Sequence, residues 1–191
     1  MEVFFLVLLV LVIALIAYVI MAYNRLVRLK HNVKVAWSNI EVLQKQRHDE
    51  LPKLVTSCRE YMKFERETLE KIINARSQVS NAMKSGNMAE LGAAESMLHS
   101  TLGHLFALTE NYPELKANES FTRLQLRITT LENSIADRRE YYNDSVNINN
   151  IVVEEFPTNL VARQFNFTQA ELFEVAEEEL VDIKLEQLFA A

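Results

Sequence analysis

The chain begins with an uninterrupted apolar run. Residues 3–22 contain no charged or amide side chain, and their one polar group is the phenol of Tyr18. At 1.5 Å per residue, this run makes a helix about 30 Å long, which matches the hydrocarbon thickness of a bilayer. The pattern predicts a transmembrane helix over residues 1–22.

We expect this helix to be retained rather than cleaved as a signal peptide. No Lys or Arg precedes the apolar run, and the small residues Ala14 and Ala17 lie inside it rather than after it. A signal peptide has a basic start, a shorter apolar core and a small-residue cleavage site. A buried helix of a soluble protein is usually shorter and shows a polar face. The span is therefore expected to anchor the chain that follows.

Basic residues set the topology of the span. Arg25, Arg28, Lys30 and Lys34 all follow it closely, and no basic side chain precedes it. Because Lys and Arg accumulate on the cytoplasmic side of membrane helices, the N-terminus is expected outside and the remaining chain in the cytoplasm. The single cysteine, Cys58, agrees with a reducing compartment.

Beyond the span, apolar residues recur at alternating steps of three and four in four long series, as on one face of an α-helix. The first series follows the span without Gly or Pro, so the two are expected to form one continuous helix. Asp49 and Pro52 predict the start of a second helix, because Asp favours an N-cap and Pro a first turn. The remaining predicted ends are the Ser85-Gly86-Asn87 link and the Tyr112-Pro113 and Phe156-Pro157 dipeptides.

Four amphipathic helices joined by short links pack most simply as an antiparallel bundle. We therefore predict an all-α fold. In it, an N-terminal transmembrane helix runs into an elongated antiparallel four-helix bundle over residues 23–157, and a short acidic C-terminal helix follows. A parallel oligomeric coiled coil is the alternative arrangement of the long helices.

The last segment, residues 158–191, differs in composition from the bundle. It contains a Phe-rich stretch at residues 165–173, and its final part carries seven acidic residues against one Lys. Thr168 and Glu171 form a capping-box pattern ahead of an apolar stripe, which predicts an acidic amphipathic helix. Such a helix either folds back on the bundle as a solvated element or docks onto a partner or a neighbouring subunit.

Composition excludes several classes of function. The net charge is −6, and this balance offers no basic patch for nucleic acid. Only 3 Gly are present and they lie far apart, which excludes Gly-rich nucleotide loops. The chain has neither a Glu-x-x-His nor an H-E-x-x-H pattern, so no metal site is predicted. We expect no cofactor and no enzymatic activity.

Isolated reactive side chains are interpreted as structural. Glu95 and His99 are four residues apart on a predicted helix, and such a pair is more often a surface contact than half of a metal site. Cys58 lies on the apolar stripe of its helix, where a free Cys is usually a small buried hydrophobe. Trp37 lies beside the apolar stripe of the first helix, and packing against another helix is favoured over membrane anchoring.

Four polar residues at apolar-stripe positions form the candidate site: Glu65, Arg138, Ser145 and Asn149. One interpretation is that they pair within the bundle and determine its register, as a buried Asn does in coiled coils. The other is that they form a polar cleft that binds a ligand.

Several short motifs follow one another along the chain. They are Tyr23-Asn24-x-Leu26-Val27, Ala36-Trp37-Ser38-Asn39-Ile40, Arg47-His48-Asp49-x-Leu51-Pro52-x-Leu54-Val55, Glu110-Asn111-Tyr112-Pro113-Glu114-Leu115-Lys116-Ala117 and Arg138-Arg139-x-x-Tyr142-Asn143. In this order they resemble the LemA family of bacterial membrane proteins, from the anchor to about Phe167. The chain departs from the family at Ile148, where Tyr is expected, and at Asn166, where Gly is usual in a tight turn.

The resemblance implies a short external N-terminus, one span of the bacterial inner membrane and a cytoplasmic antiparallel helical domain. It implies no established catalytic residues. Because a relative takes part in building magnetosome membranes, it also implies a membrane-organising role by analogy.

We therefore expect a single-pass inner-membrane scaffold whose cytoplasmic bundle self-associates and recruits partners. Its expected partners are the lipid bilayer, further copies of the chain and other membrane proteins, without nucleic acid. The alternative is a ligand-sensing or accessory subunit of a membrane enzyme complex. A third hypothesis, an unrecognised hydrolase, has no motif that supports it.

Overall fold

The computed structural model describes residues 1–174. In this part of the chain the regular structure is α-helical throughout, without a strand, and it begins with a long apolar helix, as predicted. The helices are α1 (Glu2–Tyr61), α2 (Arg66–Ser85), α3 (Met88–Thr109), α4 (Pro113–Lys116), α5 (Glu119–Glu154) and α6 (Thr158–Gln164).

Helix α1 joins the apolar run to the first soluble series without a break, as predicted. The predicted boundary at Asp49 and Pro52 is wrong, because α1 continues through Pro52 and ends at Tyr61. The second predicted helix is therefore divided between the last turns of α1 and the whole of α2. Proline inside a helix has no N–H to donate to the carbonyl four residues earlier, which for Pro52 is that of His48.

An arginine from α2 replaces the missing donor. Arg76 Nε donates a hydrogen bond to the His48 carbonyl oxygen, 2.9 Å away. A terminal nitrogen of the same guanidinium lies 3.0 Å from His48 Nδ1. Because a backbone carbonyl freed by proline is tolerated when another group satisfies it, this contact allows the helix to continue past Pro52.

Proline ends the later helices as predicted. Helix α3 stops at Thr109 ahead of Pro113, and α5 stops at Glu154 ahead of Pro157. The short helices α4 and α6, which follow these stops, were not predicted from the apolar pattern.

The link between α2 and α3 also follows the prediction. Gly86 ends α2 in the left-handed conformation, with φ of 71°, and its N–H donates to the Ala82 carbonyl. Asn87 begins α3, where its side-chain oxygen accepts a hydrogen bond from the Glu90 N–H at 3.1 Å.

Helix α6 ends in a tight turn at Asn166, whose φ is 56°. The Phe167 N–H reaches back to the Ala162 carbonyl at 2.9 Å. Asn is one of the few residues besides Gly that adopt a positive φ readily. The turn expected near Phe165 and Phe167 is therefore present although Gly is not.

The capping-box prediction at Thr168 and Glu171 is wrong, because residues 168–174 are not helical. Their backbone bonds to α5 instead: the Asn150 side chain donates to the Ala170 carbonyl and accepts from the Ala170 N–H, each at 2.9 Å. The remainder of the predicted acidic helix, residues 175–191, lies outside the described residues.

The chain divides into two compact units. Unit 1 comprises Met1–Ile40 and Arg138–Leu172, and the described residues of unit 2 are Glu41–Asp137, Phe173 and Glu174. Helices α1 and α5 each contribute to both units.

The core of unit 1 joins three helices. Ala22 and Leu26 of α1 pack against Val152 of α5 and against Val161 and Ala162 of α6. All five side chains are buried. The last turn of the apolar run is therefore covered by protein on one face.

Aromatic contacts also join the helices of unit 1. The Tyr23 ring centroid lies 4.9 Å from that of Phe165 and 5.7 Å from that of Phe167. Trp37 is half-buried, and its ring centroid lies 5.5 Å from that of Tyr142 on α5, so its predicted packing against another helix is confirmed.

Unit 2 has its own core, to which the end of α1, α2, α3 and the first half of α5 contribute. Leu54, Ile72, Leu98 and Ile128, one from each, are at most 1% exposed. The C-terminal segment joins this core through Phe173, which is equally buried.

Removal of Arg76 tests the bond that accommodates Pro52. We expect Arg76→Met to lower the free energy of unfolding by about 1–3 kcal/mol, because the His48 carbonyl loses its donor. In a Pro52→Ala background the new N–H supplies that bond, so the same substitution is expected to cost measurably less. Denaturant unfolding in mild detergent, followed by circular dichroism, gives both values.

Lys71→Met is the matched control on α2, because the exposed Lys71–Glu67 ion pair is expected to contribute little to stability. An equal cost of Arg76→Met in both backgrounds would contradict the assignment.

Candidate functional site

The four predicted polar positions are divided between the two units. Glu65 belongs to unit 2, whereas Arg138, Ser145 and Asn149 belong to unit 1. Ser145 and Asn149 are buried and Glu65 is half-buried, but Arg138 is exposed, so its predicted place at an apolar seam is wrong. The neighbouring positions of the same series, Ile135 and Tyr142, are buried, so the departure is confined to Arg138 itself.

The buried members of this set bond locally. The Ser145 hydroxyl donates to the Tyr141 carbonyl at 2.9 Å, and the Asn149 amide donates to Asn150 Oδ1 at 3.2 Å. Glu65 accepts a hydrogen bond from the Tyr112 hydroxyl at 3.3 Å. Burial, the Glu65 charge and this bond together raise the pKa of Tyr112.

The side chains that hold the C-terminal segment were not predicted. Besides Asn150, the Tyr142 hydroxyl on α5 donates to the Glu171 carbonyl oxygen at 2.9 Å. Burial, and secondarily the Glu171 carboxylate, raise the pKa of Tyr142. Tyr142 therefore stays protonated and remains a donor.

The most unusual site in unit 2 is a buried ion cluster. Arg47, on α1, is 1% exposed. Its guanidinium donates to Glu95 on α3 and to Glu132 on α5, each at 2.5 Å. Gln44 completes the cluster: its side-chain oxygen accepts from Arg47 at 2.5 Å, and its amide donates to Glu95 at 2.9 Å. One arginine thus connects three helices.

Electrostatics keeps the guanidinium charged. Burial by itself disfavours the charged form, but the attraction of Glu95 and Glu132 and their hydrogen bonds outweigh it, so the pKa of Arg47 is raised. Buried charges are tolerated only when they are paired and hydrogen-bonded, as these are.

The cluster corrects one prediction. Glu95 was expected to meet His99 on the helix surface, but Glu95 is buried at 5% exposure and bonds to Arg47. His99 is exposed, and its Nδ1 lies 3.3 Å from Glu132 at the edge of the cluster.

The apolar repeat itself could have revealed Arg47. Buried positions on α1 continue from Ile40 through Gln44 and Arg47 to Leu51 at steps of four, three and four. Gln44 and Arg47 are polar, so the predicted series of apolar residues does not include them.

A cavity of about 590 Å³ lies beside the cluster in unit 2. Its apolar wall includes Val79, Met83 and Leu98, and its polar wall includes Lys45 and Arg76. This volume is within the range of small-molecule sites. The combination suits a ligand with an apolar body and an anionic group.

The described residues place no three His, Cys, Asp or Glu side chains where they could hold a metal ion. Cys58 is fully buried, and burial raises the pKa of its thiol to about 12. It is therefore a small buried hydrophobe, as predicted, rather than an activated nucleophile.

The residues predicted to set the topology are all on the surface. Arg25, Arg28, Lys30 and Lys34 are exposed on α1, and the Lys30 ammonium lies 5.9 Å from the centroid of the Phe167 ring.

These features define the class as a helical protein with a candidate membrane helix. Within residues 1–174, α1 is the one helix that is long and apolar enough to cross a membrane. The same helix continues beyond the apolar run and carries the arginine of the buried ion cluster. Comparison with known families is decisive: the LemA family model matches residues 36–186, and the chain belongs to that family.

Individual relatives agree with this assignment. The chain is 31% identical over 166 residues to Protein LemA of Metamycoplasma hominis, covering 86% of this chain and 74% of the relative. It is 25% identical over 186 residues to the magnetosome protein MamQ 2 of Paramagnetospirillum magneticum, covering 85% and 68%. It is 24% identical over 184 residues to the magnetosome protein MamQ of Magnetospirillum gryphiswaldense, covering 84% and 68%.

The ion cluster predicts a large effect of losing its arginine. We expect Arg47→Met to destabilise the protein by about 3–5 kcal/mol at pH 7, because Glu95 and Glu132 then remain close together without a counter-charge. Denaturant unfolding of both proteins measures the difference.

The combined variant Arg47→Met, Glu95→Leu, Glu132→Leu is the control, since it removes all the charges and is expected to recover most of the lost stability. A combined variant as unstable as Arg47→Met alone would contradict this account.

Proposed function

We propose that the protein is a single-pass inner-membrane scaffold, with its N-terminus outside and its helical body in the cytoplasm. The observation that carries the proposal is the exposed apolar surface of residues 3–16, all in one helix. Among the described residues none buries these side chains, and lipid is the solvent that accepts such a helix. The four exposed basic residues that follow support the orientation.

The relatives support membrane organisation. Two of them are named magnetosome proteins, and the matches to them cover most of this chain. The buried guanidinium of Arg47 is used in structural contacts with Glu95 and Glu132. Both observations favour a positional role over catalysis.

We further propose that the cytoplasmic body forms an antiparallel four-helix bundle, to which α1, α2, α3 and α5 each contribute one helical segment. Contacts within unit 2 support this arrangement, because Arg47 connects α1, α3 and α5, while Arg76 connects α2 to α1. Short links of this kind return each helix alongside its neighbour.

Helix α5 offers a surface for self-association. Tyr141, Ile148 and Ile151 are 52%, 52% and 53% exposed, and their spacing of seven and three places them on one face of the helix. Anchoring in a membrane restricts copies of the chain to two dimensions, so their effective concentration rises and weak lateral contacts suffice.

Cross-linking tests this proposal. We expect Ile148→Cys, expressed in native membranes and treated with a short bis-maleimide, to give a covalent species at twice the 22.1 kDa of the chain. Val35→Cys on α1 is the matched control, because it also replaces an exposed apolar residue but lies outside this face of α5. Monomer alone from both variants would count against self-association through this face.

A second function is favoured by the cavity beside Arg47. Under this alternative the protein is a ligand-sensing or accessory subunit of a membrane enzyme complex, and an amphipathic anion occupies the cavity. Lys45 and Arg76 are placed to meet the anion, while Val79 and Met83 meet its apolar part.

A thermal-shift screen with amphipathic carboxylates and phosphates tests the second function. A genuine ligand is expected to raise the melting temperature of the wild-type protein but not of Ser80→Trp, whose larger side chain fills the cavity that Ser80 lines. Equal stabilisation of both proteins, or of neither, would contradict a ligand role for this cavity.

A further inference from the structure

The corner between α5 and α6 exposes large apolar side chains. Phe156 is 75% exposed and Leu160 is 58% exposed, although α6 buries its other face in the core of unit 1. A soluble surface accommodates single exposed apolar residues, but two neighbouring large ones on a structured corner indicate a contact.

Packing places this corner beside the end of the apolar run. The hydroxyls of Thr158 on α6 and Tyr18 on α1 lie 3.4 Å apart. Val161 and Ala162 pack against Ala22 in the same core, and Val19 packs against that core as well.

Helix geometry gives the position of the corner along α1, relative to the end of the apolar run. Tyr18 lies four residues before Ala22, so the Tyr18–Thr158 contact is about 6 Å inside the end of the apolar run. On the opposite face of α1 at this level, Ile20 and Met21 remain 55% and 62% exposed. Protein therefore covers one face of the last turn of the span, and nothing within unit 1 covers the other.

The charges around the corner are mixed. Glu154 and Glu155 precede it and Arg163 follows it, and all three are exposed. Glu154 also accepts a hydrogen bond from Gln169. A membrane contact at this corner would therefore not depend on attraction to anionic lipid. Its driving force would be the burial of Phe156 and Leu160 in an apolar medium.

We propose that the α5–α6 corner is a second membrane contact, in which Phe156 and Leu160 enter the boundary between headgroups and acyl chains beside the last turn of α1. This inference rests on the proposed membrane anchoring, because it takes the bilayer around residues 3–22 as the occupant. The acidic side chains of Glu154 and Glu155 stay in the aqueous headgroup region, and Arg163 can reach lipid phosphates.

The contact has a structural consequence. A single membrane helix can tilt in the bilayer together with the unit attached to it. A second contact, joined to α1 through α6 and the core at Ala22 and Leu26, restricts the tilt of unit 1 relative to the membrane plane. Because the contact is apolar, it is expected to persist in bilayers without anionic lipid.

Site-directed spin labelling measures the depth of the corner. The full-length variants Phe156→Cys and Leu160→Cys are labelled with a nitroxide and reconstituted into phosphatidylcholine vesicles. Collision with oxygen, which partitions into lipid, is compared with collision with a water-soluble nickel chelate. We expect an oxygen-to-nickel ratio several-fold higher at both positions than at an aqueous site.

Two labelled variants on α1 calibrate the ratio, and both replace exposed apolar residues. Ile20→Cys lies within the span, and Val35→Cys, 59% exposed, lies about 20 Å beyond Ala22 along the helix. The wild-type protein measures any labelling of Cys58, which is expected to be negligible because that thiol is buried. Circular dichroism verifies that each variant keeps its helix content.

The outcomes are distinguishable. Ratios at positions 156 and 160 close to that at position 20 support the second contact. Ratios close to that at position 35, with position 20 in lipid, overturn this inference and leave the anchoring intact. An aqueous ratio at position 20 itself overturns the proposed anchoring and the corner contact with it.

Discussion

The unbroken backbone of α1 is the constraint on which the other features depend. Hydrocarbon supplies no hydrogen-bond partner, so residues 3–22 must satisfy their own backbone groups as a helix. Once formed, a helix extends at little cost, and α1 continues to Tyr61. Ala22 and Leu26 of this helix face the core of unit 1, and Arg47 is buried in unit 2. Even Pro52 is accommodated within the helix rather than ending it.

The buried ion cluster and the proline contact join the helices of unit 2. An arginine with two carboxylates is costly to desolvate, and replacing such a group by apolar residues is often neutral or favourable. The cluster has a defined geometry, since Arg47 meets Glu95 and Glu132 in one arrangement of three helices. At the next residue, His48 bonds to Arg76 and thereby contributes to the register of α2 on α1. Arg47 and His48 both belong to the stretch Arg47-His48-Asp49-x-Leu51-Pro52, which carries part of the family resemblance.

The C-terminal part of the described chain illustrates how side chains take the place of regular structure. Asn150 bonds both backbone groups of Ala170, and Tyr142 bonds the Glu171 carbonyl, so an extended segment is held along α5 without a helix of its own. The turn at Asn166 directs the chain into this path after α6. The same α6 covers one face of the last turn of the span, so that the membrane-adjacent end of unit 1 is built from segments far apart in sequence.

The sequence by itself determined the features that depend on local periodicity and composition. These are the apolar span, the all-helical fold, the Gly86 and Asn87 caps, and the ends of α3 and α5 ahead of proline. Tertiary structure alone decided the features whose partners are distant in the chain. Pro52 remains inside α1 because Arg76 supplies a donor from another helix, and Thr168 does not begin a helix because Asn150 and Tyr142 offer its neighbours other bonds. The burial of Arg47 likewise depends on carboxylates from two other helices. A local pattern records what a segment prefers, whereas a hydrogen bond between remote residues exists only after the chain has folded and then overrides that preference.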